Sequence, residues 1–174
     1  MKPSSPPTRS KTRNNFVVGC SGLSEGFVDE HQSSDFENAV TFHHVGYVVK
    51  SIEVIATNFA QSLSLLWNGE IFYDPLQGAR VSFFQSSKSG NPTIELVAPE
   101  GTGSPVYRFL QQGGGLHHLC YEVDSLEKQL HHVRSNGDLI VRRPLPAVAF
   151  GGRRITWVYT RNKLLVEYLE RVAH

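Results

Sequence analysis

Four residues carry the chemistry this sequence suggests: His44 and His118, which stand 74 residues apart, and Glu95 and Glu167. Neutral imidazoles and ionised carboxylates together suit a borderline or hard divalent cation such as Co, Zn, Ni, Mn or Fe. Two carboxylates cancel the charge of a dication. A six-coordinate ion held by all four keeps two positions open for water or a bidentate substrate. Such an ion polarises a carbonyl, and the carbon beside that carbonyl can then lose its proton to a nearby carboxylate. Taken singly, a strand His is usually structural and a strand Glu usually lies on a solvated face. These four differ because they occupy equivalent places in two copies of one pattern.

Residues 42–53 align with 116–127, placing His44 on His118. Residues 78–83 align with 152–157 at the same spacing, and Ile94-Glu95-Leu96 aligns with Val166-Glu167-Tyr168. A fixed spacing with matching apolar and polar positions marks a duplicated structural unit. Two copies related by symmetry can bring like residues from distant sequence to one centre.

Each copy reads as βαβββ. The first has a strand at 41–49 and a helix at 52–68. Ser51 is its N-cap, and Ile52, Ile55, Phe59, Leu63 and Leu66 or Trp67 form one apolar face. Asn68-Gly69 ends the helix, and strands follow at 70–73, 79–85 and 93–97. The second copy has a strand at 117–123 and then a helix capped by Ser125, with Leu126, Leu130 and Val133 on one face. That helix stops at Asn136-Gly137, before strands at 139–142, 154–159 and 164–169. Ser104-Pro105 opens a linker helix over about 104–112. The expected fold is α+β: two βαβββ modules, 41–99 and 116–171, pair into a curved open-barrel sheet with helices outside and a cleft inside. Residues 1–40, rich in Ser, Pro and Asn, read as a disordered N-terminal tail, and 41–174 as a single domain.

Strand alternation sorts the candidates by face. His44, Gly46 and Val48 point to the cleft, against Val45, Tyr47 and Val49 on the helix side. His118, Cys120 and Glu122 point to the cleft, while His117 lies with Leu119, Tyr121 and Val123. Glu95 shares a face with Thr93 and Val97, and Glu167 alternates against Val166 and Tyr168. Cys120 reads as a small filler, since nothing nearby would lower its pKa. Arg142, Arg143, Arg153 and Arg154 are either solvated or available to grip an anionic substrate.

The bulk composition narrows the partners. Seventeen Lys and Arg against sixteen Asp and Glu leave a formal charge of +1, which gives no field for nucleic acid and points to a small-molecule partner. No apolar run approaches a membrane span, and Phe16-Val17-Val18 is too short for a signal-peptide core. Cys20 and Cys120 make no disulfide framework, which suits a cytoplasmic protein.

Several segments carry a resemblance: His44-Val45-Gly46, Gln77-Gly78-Ala79-Arg80-Val81, residues 94–99, Gly114-Gly115-Leu116-His117-His118 and Leu165-Val166-Glu167. Over residues 41–171 the chain resembles the vicinal oxygen chelate superfamily, which includes glyoxalase I and the extradiol dioxygenases, and within it most closely the methylmalonyl-CoA epimerases. The resemblance implies a divalent metal held by His44, Glu95, His118 and Glu167. It implies proton removal at C2 of an acyl-CoA thioester through an enolate, with return of the proton on the other face, and a homodimer. Many of these epimerases carry a Glu before the Gln-Gly turn that serves as a base, and here that position is Leu76. The acid–base role then falls to Glu167 or Glu122. The expected activity is a metal-dependent epimerase or isomerase. The alternatives are a glyoxalase-type lyase on a thiol adduct and a non-catalytic binding protein.

Overall fold

Nine strands and three helices follow one another in a computed structural model that describes residues 38–172 apart from Ser89 and Pro92. The tail expected over 1–40 lies outside the described residues up to position 37, as does Cys20. The first module holds β1 (Val40–Val48), α1 (Ile52–Leu63), β2 (Leu65–Leu66), β3 (Phe72–Asp74), β4 (Ala79–Ser86) and β5 (Thr93–Pro99). A short helix α2 (Tyr107–Gln111) links it to β6 (Gly115–Val123), α3 (Leu126–Ser135), β7 (Leu139–Pro146), β8 (Arg154–Tyr159) and β9 (Leu165–Glu170).

The strands form one mixed, open sheet in the order β2-β4-β5-β1-β6-β9-β8-β7, with β3 on β4. The modules meet where β1 pairs antiparallel with β6. On either side of this seam the neighbour is parallel: β5 beside β1 and β9 beside β6. The expected pair of βαβββ units in a curved sheet is therefore what the chain builds. Among the described residues no helix is long and apolar enough to cross a membrane.

Both long helices start as their caps dictate. The hydroxyl of Ser51 accepts from the Val54 N–H, and that of Ser125 from the Lys128 N–H. Helix α1 buries Ile52 and Ala56 against Phe84, Leu96 and Ala98, and α3 buries Leu130 and Val133 against Val158. Each large side chain buried this way contributes about 1.5–3 kcal/mol. The first helix is shorter than its apolar spacing suggests. It ends at Ser64, whose left-handed backbone (φ 53°) turns its N–H back to the Ala60 and Gln61 carbonyls. Leu65 and Leu66 then pair with β4, and Trp67 packs flat on Phe84 while its indole N–H donates to Ser82 at 2.8 Å. The linker helix also starts later than Ser104-Pro105 suggests, with Ser104 in the preceding turn accepting from Tyr107 N–H.

Burial across the seam departs from simple alternation. The cleft face is the more enclosed one: His44 and Cys120 are fully buried and Val48 nearly so. Tyr47, expected in the core, is 39% exposed. Helix α1 covers β2, β4 and β5, whereas α3 covers β7, β8 and β9. The outer face of the seam lies between them.

The seam has one irregularity in each strand. Phe42 stands opposite Tyr121 but His44 opposite Cys120, which leaves His43 as an extra residue. Gly46 stands opposite His118 but Tyr47 opposite Leu116, which leaves His117 as the extra residue on the other strand. These are two β-bulges at equivalent positions of the repeat, and a bulge re-aims the side chains around it.

Candidate metal centre

His44 and His118 face each other across the seam with their Nε2 atoms 3.2 Å apart. The Glu95 Oε2 lies 3.4 Å from each of them. The Glu167 Oε2 lies 3.4 Å from His44 and 3.9 Å from His118. The strands place them so because Gly46 is opposite Glu95 and Cys120 is opposite Glu167 in the two parallel pairings. Four donor atoms of the types that zinc and its neighbours take thus surround one point. The Glu167 Oε2 is buried and makes no hydrogen bond. Such an orphaned acceptor ordinarily costs about 1–3 kcal/mol or more, and a cation at this point would satisfy it. The residues fit a divalent ion.

Aromatic rings fix the imidazoles from symmetric places. Phe83 meets His44 edge-on at 5.8 Å, and Trp157, its counterpart in the repeat, meets His118 edge-on at 4.7 Å. The symmetry breaks at Phe150, which stacks on His44 at 5.9 Å and closes that side. A cavity of about 600 Å³ opens beside the centre, where His118, Glu95 and Glu167 form its floor with Phe150, Trp157, Gln77 and Arg142 around it.

Burial disfavours every charged form here, and the neighbours decide the outcome. For Glu95 the cost of burial is outweighed by His44 and His118, which hold its carboxyl well below the usual range. For Glu167 burial prevails over the same imidazoles and, with the charge of Glu95 added, pushes its carboxyl up. Burial opposes protonation of His44, but Glu95 and then Glu167 raise it above its ordinary value. In the metal-free site the two carboxyls are therefore pushed apart, Glu95 toward the ionised form and Glu167 toward the protonated one, a separation that suits acid–base work.

Residues 43–157 match the Glyoxalase/Bleomycin resistance protein/Dioxygenase superfamily. The chain belongs to that superfamily. Within it, an ethylmalonyl-CoA/methylmalonyl-CoA epimerase of Cereibacter sphaeroides is 30% identical over 134 residues, 75% of this chain and 96% of the relative. The solved methylmalonyl-CoA epimerase of Mycobacterium tuberculosis superposes with a TM-score of 0.67 at 23% identity, over 76% of this chain and 89% of its own. A Streptomyces coelicolor methylmalonyl-CoA epimerase variant, solved with 2-nitronate-propionyl-CoA, gives a TM-score of 0.65 at 19% identity, over 78% of this chain and all of its own.

The superfamily fold brings His44, Glu95, His118 and Glu167 together but does not bring Glu122 to them. Glu122 shares their face of the sheet, four residues or about 13 Å beyond His118 and two residues beyond Cys120, the position opposite His44 and Glu167. Its carboxylate is taken by Arg153 at 2.6 Å, with Arg171 at 3.8 Å, and it does not line the cavity. The structure thus places Glu122, one of the two expected acid–base residues, against Arg153, Arg171 and His43 and outside the four converging residues.

The arginines divide. Arg154 is paired with Glu127 and Glu170, whereas Arg142 lines the cavity, donating to the Gln77 side chain at 3.2 Å and to the Leu76 carbonyl. Cys120 is a filler as expected, its thiol pushed up by burial and then by Glu167.

Three residues near the centre escape strand alternation. His117, expected on the helix side, lines the cavity because the bulge turns it there. The rings of His43 and His117 lie against His44 and His118. The doubled histidines at equivalent repeat positions are the available signal, since the repeat marks His43 and His117 as clearly as it marks His44 and His118. Burial and then His118 hold the His117 imidazole down to about 4. The third is Asp74. One oxygen accepts from Leu76 and Gln77 N–H, both at 3.0 Å, and the other from Val148 N–H at 2.9 Å.

Proposed function

We propose that the protein is a divalent-metal-dependent isomerase that removes and returns a proton beside the carbonyl of an acyl-CoA thioester, an epimerase of the methylmalonyl-CoA type. The observation that carries this reading is the convergence of His44, Glu95, His118 and Glu167, from equivalent places in two repeats, on one point, with Glu95, His118 and Glu167 lining a cavity. These four residues hold the ion, which when bound supplies Lewis acidity to the substrate carbonyl. Glu167 carries the proton on the carboxylate oxygen that it does not give to the ion. The cavity volume suits the acyl end of a thioester with part of its pantetheine arm. Arg142 at its wall offers a charge for the substrate's anionic group. Epimerase activity in a relative sharing 30% identity supports the same chemistry. The homodimer belongs to this reading and is checked by sedimentation.

A glyoxalase-type lyase on a hemithioacetal is the second reading, and one observation favours it. Both oxygens of Asp74, the other carboxylate on the cavity wall, are already occupied. A single proton carrier suffices to move a proton between adjacent carbons, whereas epimerisation returns it on the opposite face.

Metal content by mass spectrometry of untagged wild type beside His118→Ala is the first test. Stoichiometric metal that disappears in the variant is expected, followed by solvent deuterium entering methylmalonyl- or ethylmalonyl-CoA. Wild type that takes up neither Co nor Zn removes the catalytic reading and leaves a binding protein. Turnover of a hemithioacetal without exchange into the acyl-CoA selects the lyase.

A further inference from the structure

We infer that His43 and His117 are paired positioning residues: each accepts a hydrogen bond from Nδ1–H of the ligand histidine that follows it, and so turns that ring's Nε2 lone pair toward the metal. The inference rests on the metal reading above and concerns how the ligands are held.

The geometry is the same in both repeats. The His43 and His44 Nδ1 atoms are 2.7 Å apart, and those of His117 and His118 are 3.0 Å apart. The rings cross at 76° and 87°. Adjacent residues of a regular strand point to opposite faces and cannot make this contact. The two bulges make it possible, because the extra residue in each strand is the first histidine of its pair.

The proton assignment follows from donor counting. A contact between two ring nitrogens needs one N–H and one lone pair. The Nε2 atoms of His44 and His118 are the ones that face each other and the carboxylates. A ligand nitrogen must bring a lone pair, so the proton of each ligand ring is on Nδ1. His43 and His117 must then present a bare Nδ1 and carry their own proton on Nε2. For His43 that Nε2 is turned to the Glu122 carboxylate, 4.0 Å away. Metal-binding histidines usually donate their second N–H to a carboxylate or a carbonyl. Here a neutral imidazole takes that place twice. Phe150 packs edge-on against His43 at 5.6 Å, and Phe109 against His117 at 4.8 Å, so both acceptor rings are themselves held.

The test uses the full chain with zinc as the probe. Long-range proton–nitrogen NMR of the zinc-loaded wild type is expected to show His44 and His118 protonated at Nδ1 and metallated at Nε2. His43 and His117 should both appear as the Nε2–H tautomer. Zinc affinity, measured by competition with a chromophoric chelator, should fall about 10–100-fold in His43→Phe and in His117→Phe. It should return to within a few-fold in His43→Asn and His117→Asn, where the amide oxygen can take the place of Nδ1. Ligand rings metallated through Nδ1, or Phe variants that bind zinc like wild type, overturn the inference and leave the four-ligand site standing. Wild type that binds no zinc overturns both. The NMR assignment needs no variant, so a Phe variant that fails to fold does not shield the inference.

Discussion

No side chain fits on Gly46 while His118 keeps its place: a Cβ there lies 1.9 Å from the imidazole Cε1 and 2.5 Å from Nε2. Gly46 is opposite His118 in the seam, so the ring lies directly over the bare backbone of the other module. Gly46→Ala is expected to leave the sheet intact and push the ring off the centre. Metal affinity should drop about 100-fold, the upper end of what loss of ligand orientation costs. Calorimetric zinc titration of the variant checks this.

Glu167→Gln separates holding from proton transfer. The amide keeps one oxygen for the ion but cannot carry the proton. The variant should retain metal and lose solvent-deuterium exchange into the acyl-CoA by about 10²–10⁴-fold, the usual worth of a positioned acid–base group. Glu122→Gln, which keeps a carbonyl oxygen toward His43 Nε2, should leave exchange within a few-fold of wild type, because Glu122 lies against His43, Arg153 and Arg171 and does not line the cavity. Equal losses in the two variants would sink the division of roles.

Acid should weaken the metal-free protein through His117. Its pKa in the fold is about 4 against an ordinary 6.5, so between these values the unfolded chain binds a proton that the native state refuses. Stability is therefore complete above 6.5 and falls as the pH drops through that window, by on the order of 3 kcal/mol at most. His44 has the opposite sign: its pKa is raised, so its contribution is present in acid and fades as pH rises. Urea unfolding across the window should show a slope in wild type that flattens in His117→Asn.

Asp74 joins loops from the two modules, and its replacement should cost stability. Asp74→Ala leaves the N–H groups of Leu76, Gln77 and Val148 without their shared acceptor. Hydrogen bonds to a charged group are worth about 1.5–3 kcal/mol each, and bonds sharing one acceptor are not additive, so a net loss of about 3 kcal/mol is expected. Asp74→Asn, which keeps one carbonyl oxygen, should lose less. Denaturant midpoints of the two variants decide it.

What could be read from the residues, and what could not, follows from how the repeat encodes information. The four converging residues were legible because the duplication put His44 on His118 and Glu95 near Glu167, and strand alternation then fixed their face. Alternation was also the source of the errors. It gives a face but no distance, so it does not separate Glu122 from the four converging residues. It assumes an unbroken strand, which is why His117 was put on the wrong side. A bulge has no composition signature in this chain, only the doubled histidine. The end of α1 was overrun because its stop is Ser64 in a left-handed conformation, where Gly or Asn is the usual choice.

The Asp74–Val148 contact joins two positions that the duplication makes counterparts, since they too stand 74 residues apart. The donor is a main-chain N–H, which every residue but proline carries, so only the acceptor depends on side-chain identity. One carboxylate, present in one half alone, therefore ties the wall of a cleft whose floor both halves supply.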